Sequence, residues 1–359
     1  MKTEVFRACG DERDSELMER AGRIIREGGL VAFPTETVYG LGGDALNPMS
    51  ARKIYAAKGR PSDNPLIVHI ADTADIEYIA ESDERVPLLA RHFWPGPLTV
   101  VVRKKDIVPF ETTGGLKSVA VRFPSHPVSR SFISRSGGFI AAPSANLSGR
   151  PSCTRAEHVL RDLDGKIPLI IDGGKVGIGL ESTIVDLTGE EAVLLRPGFY
   201  SVEELREVLG DIRIDPAVDG TEHLKGRPRA PGMKYRHYAP GGELTVFSGE
   251  ERVVRERILA ECRKALENRS RSGILCRSSH KAFYEETGAF VIPLGEDGEE
   301  IAKNLFGALR TMDERNIESI YSEAFEEGPL GMAIMNRLKR AAGGRIIICN
   351  ETLKDTENT

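Results

Sequence analysis

From residue 243 to residue 349 short apolar runs alternate with helical patterns: ELTVF, a helix over 250–267, GILC, a helix near 279–287, FVIPL, a helix over 297–314, ESIYSEAF, a helix over 328–342, and RIIIC. Few folds accommodate that order. Each crossover must return the chain to a neighbouring parallel strand, so the pattern specifies a small, mostly parallel, doubly wound domain of Rossmann-like type. No GxGxxG turn follows its strands and no polar constellation is evident, which argues against a dinucleotide site there. Fold alone assigns this part no task.

The first part of the chain is patterned differently. Residues 14–27 place Leu17, Ala21, Ile24 and Ile25 at helical spacing ahead of Gly28 and Gly29, where a helix should end and feed a strand. Ser50 is expected to cap a helix over 51–58, stopped by Gly59 and Pro61. Short β-rich runs then recur: LIVHI at 66–70, LTVVV at 98–102, VAVRF at 119–123, FIAA at 139–142, PLIID at 168–172 and STIVDL at 182–187. Helical patterns lie at 127–135, at 154–163 and, behind a Ser201/Glu204 capping box, at 201–209. The reading is an α/β chain in three parts: a mixed-sheet domain over 1–212, a linker over 213–242, and the doubly wound domain over 243–359.

Residues 223–242, HLKGRPRAPGMKYRHYAPGG, hold three prolines, four glycines, five Lys or Arg and no acid. A plain tether is rich in Ser and Gly, whereas this segment carries Met233, Tyr235, Tyr238 and a cationic density suited to anions. It is expected to close as a lid over a phosphate-bearing ligand.

Composition narrows the rest. The chain has 359 residues, 40% hydrophobic and 29% charged, as in globular proteins, and no apolar run approaches the roughly 20 residues needed to span a bilayer. Its amino terminus is polar and acidic rather than signal-like, so the cytoplasm is the expected compartment. Five cysteines, at 9, 153, 262, 276 and 349, show no CxxC pair or metal-ligand spacing and read as reduced, mostly structural thiols. A net charge of −5 argues against a nucleic-acid coat.

The richest polar signal is VAFPTETVYGLGGDA at 31–45, where an apolar strand runs into a loop carrying Thr35, Glu36, Thr37 and Tyr39, with glycines that let a ligand approach the backbone. Four further clusters follow at strand ends: KGRPSDNPLIVH, SVAVRFP, APSANLSGRPS, and GLESTIVDL with LLRPG. Each sets hydroxyls or amides beside Lys, Arg or His, an inventory for a polyanion with small polar appendages. Lys58, Arg60, Arg122 and Arg196 together suit one triphosphate and one carboxylate. A lone surface Arg means little, but recurrence beside Gly, Pro and Ser does. TTGGLKS at 112–118 interrupts the Walker pattern with Leu116, so this is not a P-loop. Ser144 and Ser182 lack the GxSxG setting, and their hydroxyls read as ligands rather than nucleophiles. His69, inside an apolar strand, suits a core histidine and a ligand equally.

In order, FPTETVYGLGGDA, KGRPSDNPLIVH, WPGPLT, SVAVRFP, PSANLSGRPS, ESTIVDL and LLRPG resemble the YrdC-type threonylcarbamoyl-adenylate synthases across roughly residues 15–210. PGMKYRHYAP and the α/β tail resemble the two-domain form of that family. The resemblance implies a YrdC-like twisted mixed sheet joined by the basic linker to the Rossmann-like domain. It also implies a nucleotidyltransferase reaction in which L-threonine, bicarbonate and ATP, with magnesium, give threonylcarbamoyl-adenylate and pyrophosphate. A downstream transferase would use that product on tRNAs reading codons that begin with A, with tRNA contact a further expectation. By the family pattern Thr35, His69, Arg122, Ala142 and Ser182 would line the threonine pocket, Ala142 through its backbone. Lys58, Ser62, Ser118, Ser144, Ser152, Arg196 and Tyr235 would hold ATP, joined by Arg60, Asn64 and Asn146; Lys58 and Arg60 are the candidates for the catalytic role, and no residue is assigned to a metal.

Two other readings stand beside it. An RNA-binding translation module without adenylating activity would use the basic linker with Lys58, Arg60 and Arg122; overall acidity and few stacking aromatics count against it. A carbamoyl-transfer domain of hydrogenase maturation enzymes would carry zinc-type cysteine motifs that this sequence lacks.

Overall fold

The computed structural model describes residues 2–219, 227–231, 233 and 237–349. It divides into two compact units, Met1–His237 and Tyr238–Thr359. The strands of the first are β1 (Glu4–Arg7), β2 (Val31–Phe33), β3 (Gly40–Asp44), β4 (Ile67–His69), β5 (Leu98–Arg103), β6 (Ser118–Arg122), β7 (Ile140–Ala142), β8 (Leu169–Asp172), β9 (Thr183–Asp186), β10 (Ala192–Arg196) and β11 (Ile212–Ile214). Its helices are α1 (Ser15–Arg26), α2 (Pro48–Lys58), α3 (Ile76–Ile79), α4 (Arg85–Phe93), α5 (Pro127–Arg135), α6 (Ala156–Leu163) and α7 (Val202–Leu209). Among the described residues the strands form one mixed sheet in the order β1-β8-β2-β3-β7-β4-β6-β5-β9-β10-β11.

The central strands are apolar on both faces, as strands covered on both sides must be. One face carries the largest core, with Val68, Val100, Val121 and Val185 among its buried residues. Opposite it lie two smaller clusters. Phe33, Ile140, Ala142 and Ile171 meet Met18, Ile25 and Phe132 from α1 and α5. Ile67, Val101, Ala120 and Ile184 are covered by Ala217 and by the linker residues Ala230 and Met233. The described part of the basic linker therefore packs on the sheet rather than hanging in solvent.

Several sequence expectations are met within a residue or two, among them α1, α5 and the Ser201/Glu204 capping box, whose two reciprocal bonds are both present. Others differ for physical reasons. The helix expected from Ser50 starts at Pro48 with Asn47 as its cap, because Pro suits the first helical turn and the Asn47 side chain accepts from the Met49 N–H. GLGGD, expected as a loop leading to a helix, is β3, antiparallel to β2. Two of its glycines serve packing: a side chain on Gly40 would press on Phe33 at 3.1 Å, and one on Gly42 on Ile140 at 2.8 Å. The strand β11 and the turn Pro216–Asp219 continue the first unit beyond residue 212.

The second unit has β12 (Glu243–Gly249), α8 (Glu251–Glu267), β13 (Ser272–Arg277), α9 (Lys281–Glu285), β14 (Phe290–Gly295), α10 (Gly298–Glu314), β15 (Ser319–Glu323), α11 (Gly331–Ala341) and β16 (Ile346–Cys349). All its strand pairs are parallel, in the order β14-β13-β15-β12-β16. One polar group that the sequence did not advertise closes this unit: buried Glu323 accepts from Tyr284 Oη at 2.9 Å, from the Arg277 N–H at 2.9 Å, and lies 2.8 Å from His280 Nδ1. Its bonds are satisfied within the fold. All five cysteines are free thiols, and four are buried.

Candidate active site

Strand periodicity builds the site. Side chains two residues apart share a face, so Ile67 and His69, Val101 and Thr99, Ala120 and Arg122 project together. Their register is fixed, since His69 pairs with Arg122, and Arg122 with Thr99 across the other edge. Ser182 leads into β9 with its hydroxyl 2.7 Å from that of Thr99. One end of this sheet face is thus apolar and roofed by Ala230 and Met233, and the other presents His69, Thr99, Arg122 and Ser182.

Arg122 is only 4% exposed. Its Nη1 donates to Thr37 Oγ1 at 2.9 Å. Thr37 Oγ1 lies 2.8 Å from Thr35 Oγ1, which donates to the Val38 carbonyl at 2.7 Å. These contacts knot the loop PTETV and aim it at Arg122. Glu36 Oε1 approaches Arg122 Nη2 at 2.7 Å, so the two charges are paired. The pair is misaligned: both Glu36 oxygens and Arg122 Nε and Nη2 are buried without a hydrogen bond. Misaligned buried charges are costly, which points to groups shaped for a ligand.

His69 sits beside them, with Nδ1 3.1 Å from the Ile67 carbonyl and its ring edge-on to Phe33. Burial, then the charge of Arg122, pushes its pKa down to about 3, so the ring is a neutral donor or acceptor and not a cation. Ala142 pairs with Ile67 on the adjoining strand. Tyr39 anchors the end of the loop, donating to the Gly174 carbonyl at 2.8 Å, and burial raises its pKa so that it stays protonated.

A second group gathers around α2. Gly59 takes φ 62°, closing the helix in the left-handed conformation immediately after buried Lys58. Lys58 Nζ donates to the Ser144 and Asn146 carbonyls, tying α2 to the loop PSANLSG. Ser144 Oγ donates to Asn146 Oδ1 at 2.5 Å, and Ser144 bridges to Gly40 at the end of the PTETV loop. Arg60 is turned onto its own loop, donating to the Asn64 and Pro65 carbonyls at 3.2 and 3.0 Å. Asn64 Oδ1 is buried without a hydrogen bond. Ser62 is exposed and Ser118, the first residue of β6, half-buried. Ser152 donates to Glu181 at 2.5 Å. Arg196 holds Ser182 through its carbonyl at 3.0 Å and hydroxyl at 3.1 Å, and reaches the Pro231 carbonyl of the linker at 3.4 Å. Tyr235 lies outside the described residues.

Thr99 and Glu181 were not named by sequence reasoning, and Glu36 and Thr37 were named in the loop without a place in the pocket. Thr99 carried a signal as the polar residue of an apolar strand, and Glu36 and Thr37 stood inside the motif read for Thr35.

Residues 23–198 match the Sua5/YciO/YrdC family, described as "Telomere recombination", and residues 200–343 match "Threonylcarbamoyl-AMP synthase, C-terminal domain". The threonylcarbamoyl-AMP synthase of Pyrococcus abyssi is 51% identical over 91% of this chain and 94% of its own. The chain belongs to the threonylcarbamoyl-AMP synthase family. The Bacillus subtilis member is 45% identical over 91% of this chain and 93% of its own. A crystal structure of Pyrococcus abyssi Sua5 complexed with L-threonine superposes with a TM-score of 0.91 at 47% identity, over 98% of this chain and all of that one. The two-domain α/β architecture is that of the family, and the chain is an enzyme of this type. Among the described residues no helix is long and apolar enough to cross a membrane.

Proposed function

We propose that the chain condenses L-threonine, bicarbonate and ATP into threonylcarbamoyl-adenylate with release of pyrophosphate. The observation that carries the reading is Arg122: a buried guanidinium with Nε and Nη2 unbonded, on one sheet face with neutral His69, Thr99 and Ser182. A planar fork of that kind takes a carboxylate through two bonds. A neutral imidazole and hydroxyls suit threonine's remaining polar groups. The loops joined by Lys58, with Ser62, Asn64, Ser144, Asn146 and Ser152, offer cation, amide and hydroxyl to a triphosphate, with Ser118, Arg196 and Tyr235 as the other proposed ATP contacts.

In this reading the threonine amine and bicarbonate give a carbamate and water. A carbamate oxygen then attacks the α-phosphorus, and the bond to pyrophosphate breaks. Negative charge grows on phosphate oxygens as it does so, and fixed donors such as Lys58 and Arg60 stabilise it while the fold holds the reactants together. No side-chain nucleophile is called for. Magnesium travels on the triphosphate as part of that substrate; the donor set here is of hydroxyl and amide type, compatible with a cation that keeps its waters. The product is a reactive mixed anhydride, which a transferase acting on tRNA adenosine would consume, a reading compatible with a cytoplasmic enzyme. Purified protein with magnesium and ATP should release pyrophosphate only when both threonine and bicarbonate are present. Folded protein that releases none, or releases it without threonine, contradicts the reading.

A further inference from the structure

We infer that Glu36 is the seat of the substrate's ammonium group, so that the Arg122–Glu36 pair is a zwitterion receptor closed on itself. The inference rests on the reading that this pocket takes threonine. A carboxylate removed from water must be paired well or it destabilises the fold. The Glu36 side chain is 12% exposed and both its oxygens are buried, yet its approach to Arg122 satisfies neither partner directionally. The loop gives it little freedom to turn away: its own carbonyl accepts from Ile178 N–H at 2.9 Å, and Thr35 and Thr37 on either side are knotted together and to Arg122. Opposite charges, each with unused hydrogen-bonding capacity, thus face each other on the wall that carries His69 and Ser182.

An α-amino acid presents the complementary pair, a carboxylate and an ammonium on adjoining atoms. Inserting it exchanges one misaligned ion pair for two aligned ones: the substrate carboxylate takes Nε and Nη2 of Arg122, and Glu36 takes the ammonium. The net charge of the buried chamber stays the same throughout, so the desolvation cost of binding falls mainly on the substrate. Glu36 would then select for an amine beside the carboxylate, a requirement that Arg122 alone does not impose.

Direct binding to the full chain separates this from a role in merely holding Arg122. The probes are L-threonine, (R)-3-hydroxybutanoate, which keeps carboxylate and hydroxyl but has no amine, and L-threoninol, which keeps the amine but has no carboxylate. Glu36→Gln should weaken threonine by about 10- to 100-fold, on the scale of a charge-assisted contact. It should weaken threoninol comparably and leave 3-hydroxybutanoate unchanged or tighter. Glu36→Asp, which keeps the charge and serves if the Gln variant does not fold, should show a smaller loss for threonine and none for 3-hydroxybutanoate. Equal losses for all three probes, or unchanged threonine binding, overturn the inference while leaving the pocket assignment intact. Failure of the unaltered protein to bind threonine overturns both.

Discussion

At the residue scale the site is organised by two buried side chains, Arg122 and His69. Arg122 must present a fork, since Nη1 is already held by Thr37 and only Nε and Nη2 remain for a carboxylate. Lysine there supplies one point charge, so Arg122→Lys should raise the threonine KM by about 10- to 100-fold while the ATP KM moves far less. Steady-state kinetics with each substrate varied in turn check this. His69 makes a pH prediction. Its folded pKa is pushed down to about 3, whereas an unfolded histidine titrates near 6.5, so the unfolded chain takes up the proton first. The contribution to stability is whole above about pH 6.5 and is lost as pH falls towards 3, by up to ~1.4 kcal/mol per pH unit. Burial lowers the pKa of His126 as well, with the same sign. A His69→Gln variant should therefore show a flatter dependence of melting temperature on pH between about 6.5 and 4.5 than the unaltered chain; parallel curves would contradict the assignment.

At the element scale, connections near α7 and β9 separate stability from chemistry. The capping box of α7 is exposed and touches no site residue, so Ser201→Ala should cost about 1 kcal/mol and leave turnover alone. Gly198 is three residues away and behaves differently. A side chain there would collide with the Thr183 N–H and stand 2.6 Å from the Ser182 carbonyl carbon, pushing on the segment that Arg196 holds. Gly198→Ala should lower kcat/KM by at least tenfold, with a stability loss in the range of an overpacked core, about 1–3 kcal/mol. Thermal melts beside activity assays distinguish the pair. Elements were also where sequence reading was strongest. The periodicity of 127–135 and of every strand and helix from 243 onward gave positions close to those observed, because long periodic runs record burial directly. It was weakest at β3 and β1. Gly40–Asp44 has the composition of a turn, and only tertiary contact with Phe33, Ile140 and the neighbouring strands makes it extended. Glu4–Arg7 is exposed throughout, and its two adjacent apolar residues, Val5 and Phe6, are too few to show a period, its place being set by parallel pairing with β8.

At the scale of the whole molecule, ordered motifs made the family legible, and the comparisons bear it out. The logic of the site was less accessible. Thr35, expected to line the threonine pocket, also knots the loop through its hydroxyl, while Glu36, named in the same motif without a place in the pocket, holds the unbonded oxygens. Residue type reveals donors and acceptors, but which of them is left unsatisfied depends on register between strands far apart in sequence. Each unit has its own buried core, so residues 238–349 expressed alone should melt cooperatively and show no adenylate synthesis, a point that circular dichroism and the pyrophosphate assay settle together. The most direct test of the central claim follows the carbon of bicarbonate. With 13C-labelled bicarbonate, threonine and magnesium ATP, mass spectrometry should find an adenylate carrying both threonine and one labelled carbon. An adenylate of threonine without that carbon, or pyrophosphate with AMP alone under conditions where the adenylate survives, would contradict the account.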